Sequence, residues 1–433
     1  MDGSLEHQQI NPSNIISTGK VSFKNGNPVI QFIIGEQDKY LLGNSLRFCG
    51  NVQFFEDDSG TNRVPVSASS LSINSTLGLY GMLDQISLSS QRSKQNIETI
   101  RHYGRFLSTY LPTLSSQQEA ISHMNATSAM VPNLECERLG VVNNQNGSSA
   151  TDRTTFGTSF CMNLPCGLLN SQSPIPLSAD WGLGGLMLEL RLSPDSQFLF
   201  ASNNISGSLS SPFYELSNLS LIYEVVNPSA DALASLRNQK GNTLEYNSIS
   251  SYYTSVNSTN AIVNFNLGVK NALSAFFNII PSSRLNNLGE DGFATLPFSN
   301  SGTDGVAKIK QLVFTRNGVK FPLQYNIDTN VNPKFIPTGT SYNPEDPQVL
   351  RNAMDAFNSY VDYKKTQLSP ATYTRKVSDD SRDNDEPFQN HFFVGVAFDQ
   401  ISNQGVDYSS SNLGINMELD LTTDNPQTIF LFV

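Results

Sequence analysis

The stretch Val306–Ile327, VAKIKQLVFTRNGVKFPLQYNI, carries the strongest hairpin pattern in the sequence. Asn317-Gly318 separates two runs of strand-forming residues, and an Asn-Gly pair supplies the positive φ angles that a two-residue type I′ turn requires. After the turn, apolar residues alternate with polar ones, which is the period of a strand with one buried face. The alternating apolar residues are Val319, Phe321, Leu323, Tyr325 and Ile327.

The register of this hairpin follows from the length of its turn. A two-residue loop places Phe314 opposite Phe321. In the same register, Leu312 lies opposite Leu323. Pro322 has no N–H to donate, and its nitrogen points away from the partner strand, which marks an edge or a bulge. We interpret the stretch as a long hairpin on one side of a β-sandwich, although a hairpin in any all-β protein would have the same pattern.

The composition favours a β-protein with many turns. A chain of 433 residues is long enough for two or three domains. Only 15% of the residues are charged, and Ser, Asn, Thr and Gly are abundant, which suits short strands joined by polar turns better than a helical bundle. The net charge of −11 and the absence of a basic block argue against binding to nucleic acid or to anionic membranes.

The first residues, MDGSLEHQQINPSN, lack the charged and then apolar pattern of a signal peptide. No apolar run reaches the ~18 residues that a membrane span requires. We therefore expect a soluble protein that is synthesised in the cytoplasm and is not secreted through a signal peptide.

The order of elements along the chain predicts two similar halves. Residues 1–20 are polar and aperiodic, so we expect a flexible N-terminal arm. Residues 21–227 form the first half, and Asn227-Pro228 ends its last strand. Residues 228–241 form a linker with a short helix that ends at Gly241. Residues 242–433 form the second half. Two antiparallel β-sandwiches in series are the simplest arrangement.

Strands with clean alternation occur in both halves, and helices are few. Asn96–Leu111 shows helical spacing of apolar residues and is predicted to be a helix that Pro112 stops. Residues 347–364 contain a second helical pattern, with Leu350, Met354, Phe357 and Val361 on one face. Residues 72–89 are predicted to be one strand with glycine bends, residues 113–160 a long loop, and residues 242–256 a strand.

Four stretches together resemble a known family. They are GLYGMLDQISLS at Gly78–Ser89, NIETIRHYGRF at Asn96–Phe106, FFNIIPSS at Phe276–Ser283 and RNGVKFPLQYNID at Arg316–Asp328. In this order the chain resembles the major capsid proteins of polinton-like viruses, virophages and adintoviruses, which belong to the double jelly-roll lineage that includes adenovirus hexon. The resemblance covers about residues 30–430 and rests on patterns of strand and turn.

The resemblance implies an all-β fold of two tandem eight-stranded antiparallel jelly rolls, with a few short helices in loops. It also implies a structural role in the virion. Three copies would form a pseudo-hexagonal capsomer, and capsomers would tile an icosahedral shell around a double-stranded DNA genome. The implied partners are further copies of the chain, penton proteins, and minor or cement capsid proteins. A lectin-like or receptor-binding β-sandwich of a spike or fibre is the alternative, and size in solution separates the two.

No pattern for catalysis or for a cofactor emerges, and no catalytic, cofactor-binding or metal-binding residue is assigned. The four histidines have no metal-ligand or triad spacing. They are His7, His102, His123 and His391. Gly182-Leu183-Gly184-Gly185 precedes a strand and is predicted to be a turn or bulge and not a nucleotide loop. The acidic loop 379–386 fits no EF-hand, so a solvated loop is favoured over a calcium site.

The cysteines and the glycosylation patterns have plain interpretations as well. The cysteines, which are Cys49, Cys136, Cys161 and Cys166, are expected to be reduced in a cytosolic protein. Six matches to Asn-x-Ser/Thr are expected by coincidence in a chain rich in Asn and Ser. They lie at Asn74, Asn125, Asn146, Asn204, Asn218 and Asn257. Trp181 is the single tryptophan, whereas carbohydrate sites often use exposed aromatic residues.

Overall fold

A computed structural model gives the structure of the chain. It describes residues 3–16, 19–58, 62–65, 71–74, 77–114, 125–130, 138–140, 158–171, 173–201, 211–238, 244–289, 291–293, 308–321, 327–328, 393–398, 405–420 and 426–433. The predicted helix at 347–364 and the acidic loop 379–386 lie outside these residues.

The described part of the first half consists mainly of strands. They are β1 Gly3–Ile10, β2 Val29–Ile34, β3 Tyr40–Leu41, β4 Arg47–Asp58, β5 Asn62–Pro65, β6 Leu71–Asn74, β7 Leu83–Ser90, β8 Asn96–Arg101, β9 Arg138–Gly140, β10 Thr158–Asn163, β11 Ile175–Pro176, β12 Leu186–Leu192, β13 Phe200–Ala201 and β14 Phe213–Pro228. The helices among the described residues are short. They are α1 Tyr103–Leu114, α2 Asn125–Ser128, α3 Asp195–Phe198 and α4 Ala230–Asn238.

Two facing sheets build the first half. The larger sheet has the order β10-β4-β14-β3-β11, with β1 also paired to β14 and β5 to β4. The second sheet has the order β2-β12-β7-β8, and a small third sheet has the order β13-β6-β9. The rings of Phe32 on β2 and Phe48 on β4 pack edge to face, with their centroids 6.0 Å apart, so the two main sheets enclose a common core.

The N-terminal residues differ from the flexible arm that the sequence predicts. β1 pairs with β14 along eight residues, from Gly3 opposite Pro228 to Ile10 opposite Leu221. Farther along, the side chain of Asn14 bonds to the backbone of β2 at Val29 and Gln31. The segment 3–16 is therefore laid along the open edge of the first half. Polar strands are stable there because backbone pairing replaces hydration of an exposed edge.

The predicted helix Asn96–Leu111 divides into a strand and a helix. Residues 96–101 form β8, which pairs with β7, and only the residues from Tyr103 onward are helical. His102 has a φ of 55° and turns the chain between the two elements. Pro112 does not stop the helix, because α1 continues to Leu114.

The second half has the strand order of a jelly roll. Its strands are β15 Ser251–Val256, β16 Asn260–Asn266, β17 Ser274–Pro281, β18 Lys308–Arg316, β19 Val319–Lys320, β20 Ile327–Asp328, β21 Val394–Ala397, β22 Asn412–Asp420 and β23 Gln427–Phe432. One sheet has the order β15-β23-β17-β21. The other has the order β16-β22-β18-β19, with β20 also on β18. With β19 and β20 counted as one interrupted strand, eight strands divide into two four-stranded sheets, as in a jelly roll.

The hairpin turn is confirmed, but its second strand leaves the predicted register. Asn317 and Gly318 have φ angles of 48° and 79°, as a type I′ turn demands. The N–H of Phe321 donates to the carbonyl of Phe314 at 3.0 Å, in the predicted pairing. Leu312, however, faces Ile327 and not Leu323. The pairing partner of Leu312 is thus shifted by four residues relative to the prediction (327 − 323).

The core is continuous through both halves. The buried apolar residues of the first and second halves form one cluster. β17 and β23 are the central strands of their sheet, and their side chains are buried on both faces. Phe277 packs inward against Phe314 of the opposite sheet, whereas its neighbour Phe276 points the other way and packs against Phe106 of α1. The sheet is thus covered by its partner sheet on one side and by the first half on the other.

Three further predictions are corrected by the structure. Residues 72–89 form β6, a 3-10 turn at Gly78–Met82 and β7, and not one strand. The region 113–160 contains α2, β9 and the start of β10 among its described residues. The strand predicted at 242–256 begins only at Ser251.

The short helix expected after Asn227-Pro228 is confirmed as α4. In the described part of the chain, none of the helices combines the length and apolar character of a membrane span.

Candidate functional site

The best-developed candidate site is the junction where α1 and β8 of the first half meet the second half. We call it the junction. Its centre is aromatic: the ring centroid of Phe106 lies 5.9 Å from that of Phe276 and 5.8 Å from that of Phe432. All three side chains are buried. Aromatic side chains bury large areas, so this contact holds the halves together mainly by excluding water.

Glu98 holds together three backbone segments at the junction: its own strand β8, the loop at Gly167 and the segment at Ile249. Its Oε1 accepts hydrogen bonds from the backbone N–H of Gly167 at 3.0 Å and of Ile249 at 2.9 Å. Its Oε2 accepts from the N–H of Leu168 at 2.9 Å. Burial raises the pKa of Glu98, while these three N–H groups oppose the rise. One carboxylate thereby joins a strand and a loop of the first half to the start of the second.

Arg105 on α1 is a fully buried cation at the same junction. Its Nη1 donates to the carbonyl of Gly292 at 2.7 Å, and its guanidinium lies over the rings of Phe430 and Phe293, at 4.6 and 5.1 Å. Burial lowers the pKa of Arg105 to about 10, while nearby acids oppose the shift. The side chain is still protonated at neutral pH, and the aromatic faces partly replace its hydration.

Asp291 is one of the acids that oppose the lowering of the Arg105 pKa. Its Oδ2 accepts from Nδ2 of Asn74 at 2.6 Å, and its Oδ1 accepts from the N–H of Phe293 at 2.9 Å. Burial raises the pKa of Asp291. Asn74 is 8% exposed and engaged with this carboxylate, so it is a structural residue of the junction and a poor acceptor for a glycan.

A second candidate surface is the outer face of the larger first-half sheet, the face turned away from Phe48. We call it the outer face. Leu5 on β1 is 52% exposed, and Ile16 at the end of the N-terminal segment is 77% exposed. A cleft of about 220 Å³ lies beside Ile16, between the N-terminal segment and Leu219. Exposed apolar residues around a cleft are typical of a surface that contacts another protein.

The histidines do not form a chemical centre in the part of the chain that the structure describes. His7 is exposed, and its Nδ1 lies 3.3 Å from Glu224 on the neighbouring strand. His102 packs against the rings of Tyr253 and Phe430 at the junction. The described residues contain no group of three or more His, Cys, Asp or Glu side chains that would suit a metal ion. His123 and His391 lie outside the described residues.

The remaining candidates from the sequence have structural roles. Gly184 and Gly185 have φ angles of 67° and 79° and form the turn before β12, as predicted. The carbonyl of Leu183 in this turn accepts a hydrogen bond from the Ser90 hydroxyl. Trp181 is 4% exposed and packs against Tyr40. It therefore offers no open ring surface to a sugar.

Sequence reasoning missed the residues of the junction. Glu98 and Arg105 sit in a stretch that has helical spacing, and charged residues at such positions usually point to solvent. The available signal is that Glu98 precedes Ile100 by two residues, so in a strand the two side chains lie on the same face. That pattern does not disclose which backbone groups the carboxylate pairs with.

Comparisons with solved structures extend over the whole chain. A chain in the cryo-EM structure of the Sputnik virophage matches with a TM-score of 0.54 at 12% identity, over 100% of this chain and 86% of that one. The Faustovirus major capsid protein matches with a TM-score of 0.55 at 8% identity, over 99% and 89%. A chain of the PBCV-1 virus capsid matches with a TM-score of 0.51 at 10% identity, over 100% and 94%. The chain is a double jelly roll. No family model and no curated protein matches it by sequence.

The double jelly roll explains the junction. Each jelly roll has an apolar interior of its own, and a second apolar layer between α1 and the β15-β23-β17-β21 sheet joins the two. Among the described strands, no sheet mixes strands from before and after α4. The two jelly rolls are therefore separate sandwiches that share a dry contact.

Proposed function

We propose that this chain is a major capsid protein. It assembles as a homotrimer, and the trimers form pseudo-hexagonal capsomers of an icosahedral shell around a double-stranded DNA genome. The observation that carries the proposal is the agreement of the fold with viral capsid chains over 99% or more of this chain's length. The proposal places the protein in the virion and assigns it no catalytic, cofactor-binding or metal-binding residue.

The junction supports assembly into a ring. Its two sides are unlike, because α1 and β8 of one jelly roll meet the outer side of a sheet of the other. Unlike contacts that repeat around an axis generate a closed ring when the rotation fits. Two jelly rolls per chain and three chains give six similar sides. We place the division between the jelly rolls at residues 228–241.

The outer face is the proposed contact between copies. In the second half, the sheet β15-β23-β17-β21 is covered by the first half of the same chain. The matching sheet of the first half has Leu5 and Ile16 exposed and a cleft beside them. We propose that the second half of a neighbouring copy covers this outer face. Neighbouring capsomers, penton proteins and minor or cement proteins then contact other surfaces.

The experiment compares the parent protein with two matched variants. Ile16→Glu places a charge on the outer face, and Ile262→Glu places one on β16, where Ile262 is 74% exposed on a sheet outside the junction. The measurements are light scattering during size-exclusion chromatography and negative-stain electron microscopy. The proposal predicts a parent particle of three times 47.5 kDa or a larger assembly.

The two variants then separate the proposed contact from general surface effects. Ile16→Glu should shift the protein to monomer because a buried unpaired charge opposes association, while Ile262→Glu should leave the trimer intact. A parent protein that stays monomeric at micromolar concentration and forms no particles would favour the lectin-like alternative. Equal behaviour of both variants would remove the outer face from the proposed contact.

A further inference from the structure

Two cysteine thiols face each other on the outer face of the first jelly roll. Cys49 on β4 lies directly opposite Cys161 on β10 in the antiparallel register. Their Sγ atoms are 2.9 Å apart. Both side chains are partly exposed free thiols. The third described cysteine, Cys166, is fully buried elsewhere in the same jelly roll.

The backbone geometry of this pair matches that of a disulfide. Directly opposite residues of antiparallel strands have Cα atoms about 4.5–5.5 Å apart. Disulfides accept Cα separations of about 4.4–6.8 Å and have an S–S bond of about 2.05 Å. The two sulfur atoms therefore need to approach by only about 0.9 Å, which side-chain rotation supplies. Neither strand has to move.

We propose that Cys49 and Cys161 are an oxidation site that closes to a cross-strand disulfide when the protein meets a small disulfide such as oxidised glutathione. The inference does not rest on the proposed function, because both thiols belong to one chain and one sheet. It differs from the expectation of inert reduced cysteines, since the pair is reduced in the cytosol and closes only in an oxidising environment.

The reaction proceeds by two exchanges and is balanced. The thiolate of one cysteine attacks a sulfur of oxidised glutathione, forms a mixed disulfide and releases one glutathione thiolate, which takes up the proton that the cysteine lost. The second cysteine, as thiolate, then attacks the protein sulfur of the mixed disulfide. This step releases the second glutathione and forms the Cys49–Cys161 bond. Two cysteine thiols are oxidised and one glutathione disulfide is reduced.

The surroundings of Cys49 make the closure slow and dependent on pH. Burial, together with the hydrogen bond to Cys161, raises the pKa of Cys49 to about 12. The thiolate is the reactive form, so little of it is present at neutral pH. The rate of closure should rise with pH, and a brief exposure to oxidant should leave the pair reduced.

Closure would fasten an edge of the sheet. β10 is the outermost strand on its side of the sheet, and β4 is its neighbour. The bond would link residues that are 112 positions apart in sequence (161 − 49). A link over so long a loop restricts the unfolded chain strongly, so it should raise the melting temperature of the first jelly roll by on the order of 10 °C.

The test maps disulfides in the full-length protein. Trypsin leaves Cys49 in the peptide 48–63 and Cys136 in the peptide 106–138, but it leaves Cys161 and Cys166 together in the peptide 154–191. In the Cys166→Ala variant, any disulfide of the peptide 154–191 must involve Cys161. The protein is incubated at pH 8.5 in mixtures of oxidised and reduced glutathione, both in the native state and during refolding from urea. Free thiols are then blocked with N-ethylmaleimide before digestion and mass spectrometry.

The expected product is the linked pair of peptides 48–63 and 154–191, formed within one chain and removed by dithiothreitol. Oxidised protein should melt higher than reduced protein, and Cys49→Ser should abolish the difference. The inference is overturned if Cys49 and Cys161 are not linked to each other either in the native protein or after refolding. A link between different chains, or a link of Cys136 to either partner as the main product, would also overturn it.

Discussion

Replacing Glu98 by glutamine removes one charge from the junction and leaves the shape of the side chain unchanged. Glutamine can place its Oε1 where Glu98 accepts from Gly167 and Ile249. Its Nε2 then faces the N–H of Leu168, which at present donates to Oε2 at 2.9 Å. Two donors oppose each other, so one buried N–H loses its partner.

The magnitude follows from these three bonds. An unsatisfied buried N–H costs about 1–3 kcal/mol, and bonds to a charged acceptor are stronger than bonds to a neutral one by about 1 kcal/mol each. Relief from burying a charge offsets part of this loss, because burial raises the pKa of Glu98 and so opposes its ionised form. We expect a net loss of about 2 kcal/mol in the free energy of unfolding.

The assays are thermal and urea unfolding at pH 7.5. With an unfolding entropy of about 2.1 cal/mol/K per residue, a loss of about 2 kcal/mol lowers the melting temperature by about 5 °C if the first half melts alone. The shift is about 2 °C if the whole chain melts as one unit. The matched control is Glu189→Gln on β12, where the carboxylate accepts a hydrogen bond from the Gln31 side chain at 2.8 Å. Its expected cost is below about 0.5 kcal/mol.

The comparison of the two variants decides the outcome. If Glu98→Gln unfolds at the same temperature and urea concentration as Glu189→Gln, the carboxylate does not fasten the three segments. The account of the junction given above would then be wrong.

Three further changes test other residues. Gly318→Val should cost about 1–3 kcal/mol and lower the yield of soluble protein because Gly318 has a φ of 79°, whereas Gly318→Asn should be mild, as melting curves will show. Burial raises the pKa of Asp195 to about 6, so the folded state holds its proton longer than the unfolded state and stability falls as pH rises from about 4 to about 6. Asp195→Asn should therefore flatten the urea midpoint in that range and stabilise the protein at pH 7 by up to about 3 kcal/mol. Arg105→Met should cost about 3 kcal/mol, because the Gly292 carbonyl and nearby acids lose a buried cation, and an unchanged urea midpoint would contradict this.

The sequence predicts strands with one buried face by their alternation, whereas β17, which is buried on both faces, lacks that signal. β12 and β22 alternate in sequence and in burial. The sequence leaves the type of the apolar segment 269–280 open, and the structure forms β17 there. The structure gives the physical reason, since Phe277 faces its own jelly roll and Phe276 faces the other one. A strand between two apolar layers loses its alternation.

Local conformation limited the other predictions. Asn317-Gly318 predicts its turn because few residues other than Gly and Asn adopt positive φ angles readily. His102 also has a positive φ, but histidine gives no such signal, so the break between β8 and α1 was missed. The register after Phe321 depends on pairing with Leu312 at a distance, which neighbouring residues do not determine. The same holds for Glu98 and Arg105, whose partners lie in distant segments.

The pairing of β1 with β14 limits how early in synthesis the larger sheet of the first half can form. Ile10 meets Leu221, which leaves the ribosome 211 residues later (221 − 10). At about 5–20 residues per second, the first strand waits on the order of 10–40 s for its partner. β4 also needs β14 beside it, so the large sheet lacks its central strand throughout this interval. Contacts of such long range make folding slow. The nascent chain therefore has to be kept from aggregating until residue 228 has emerged, and a chaperone at the ribosome would act in that interval.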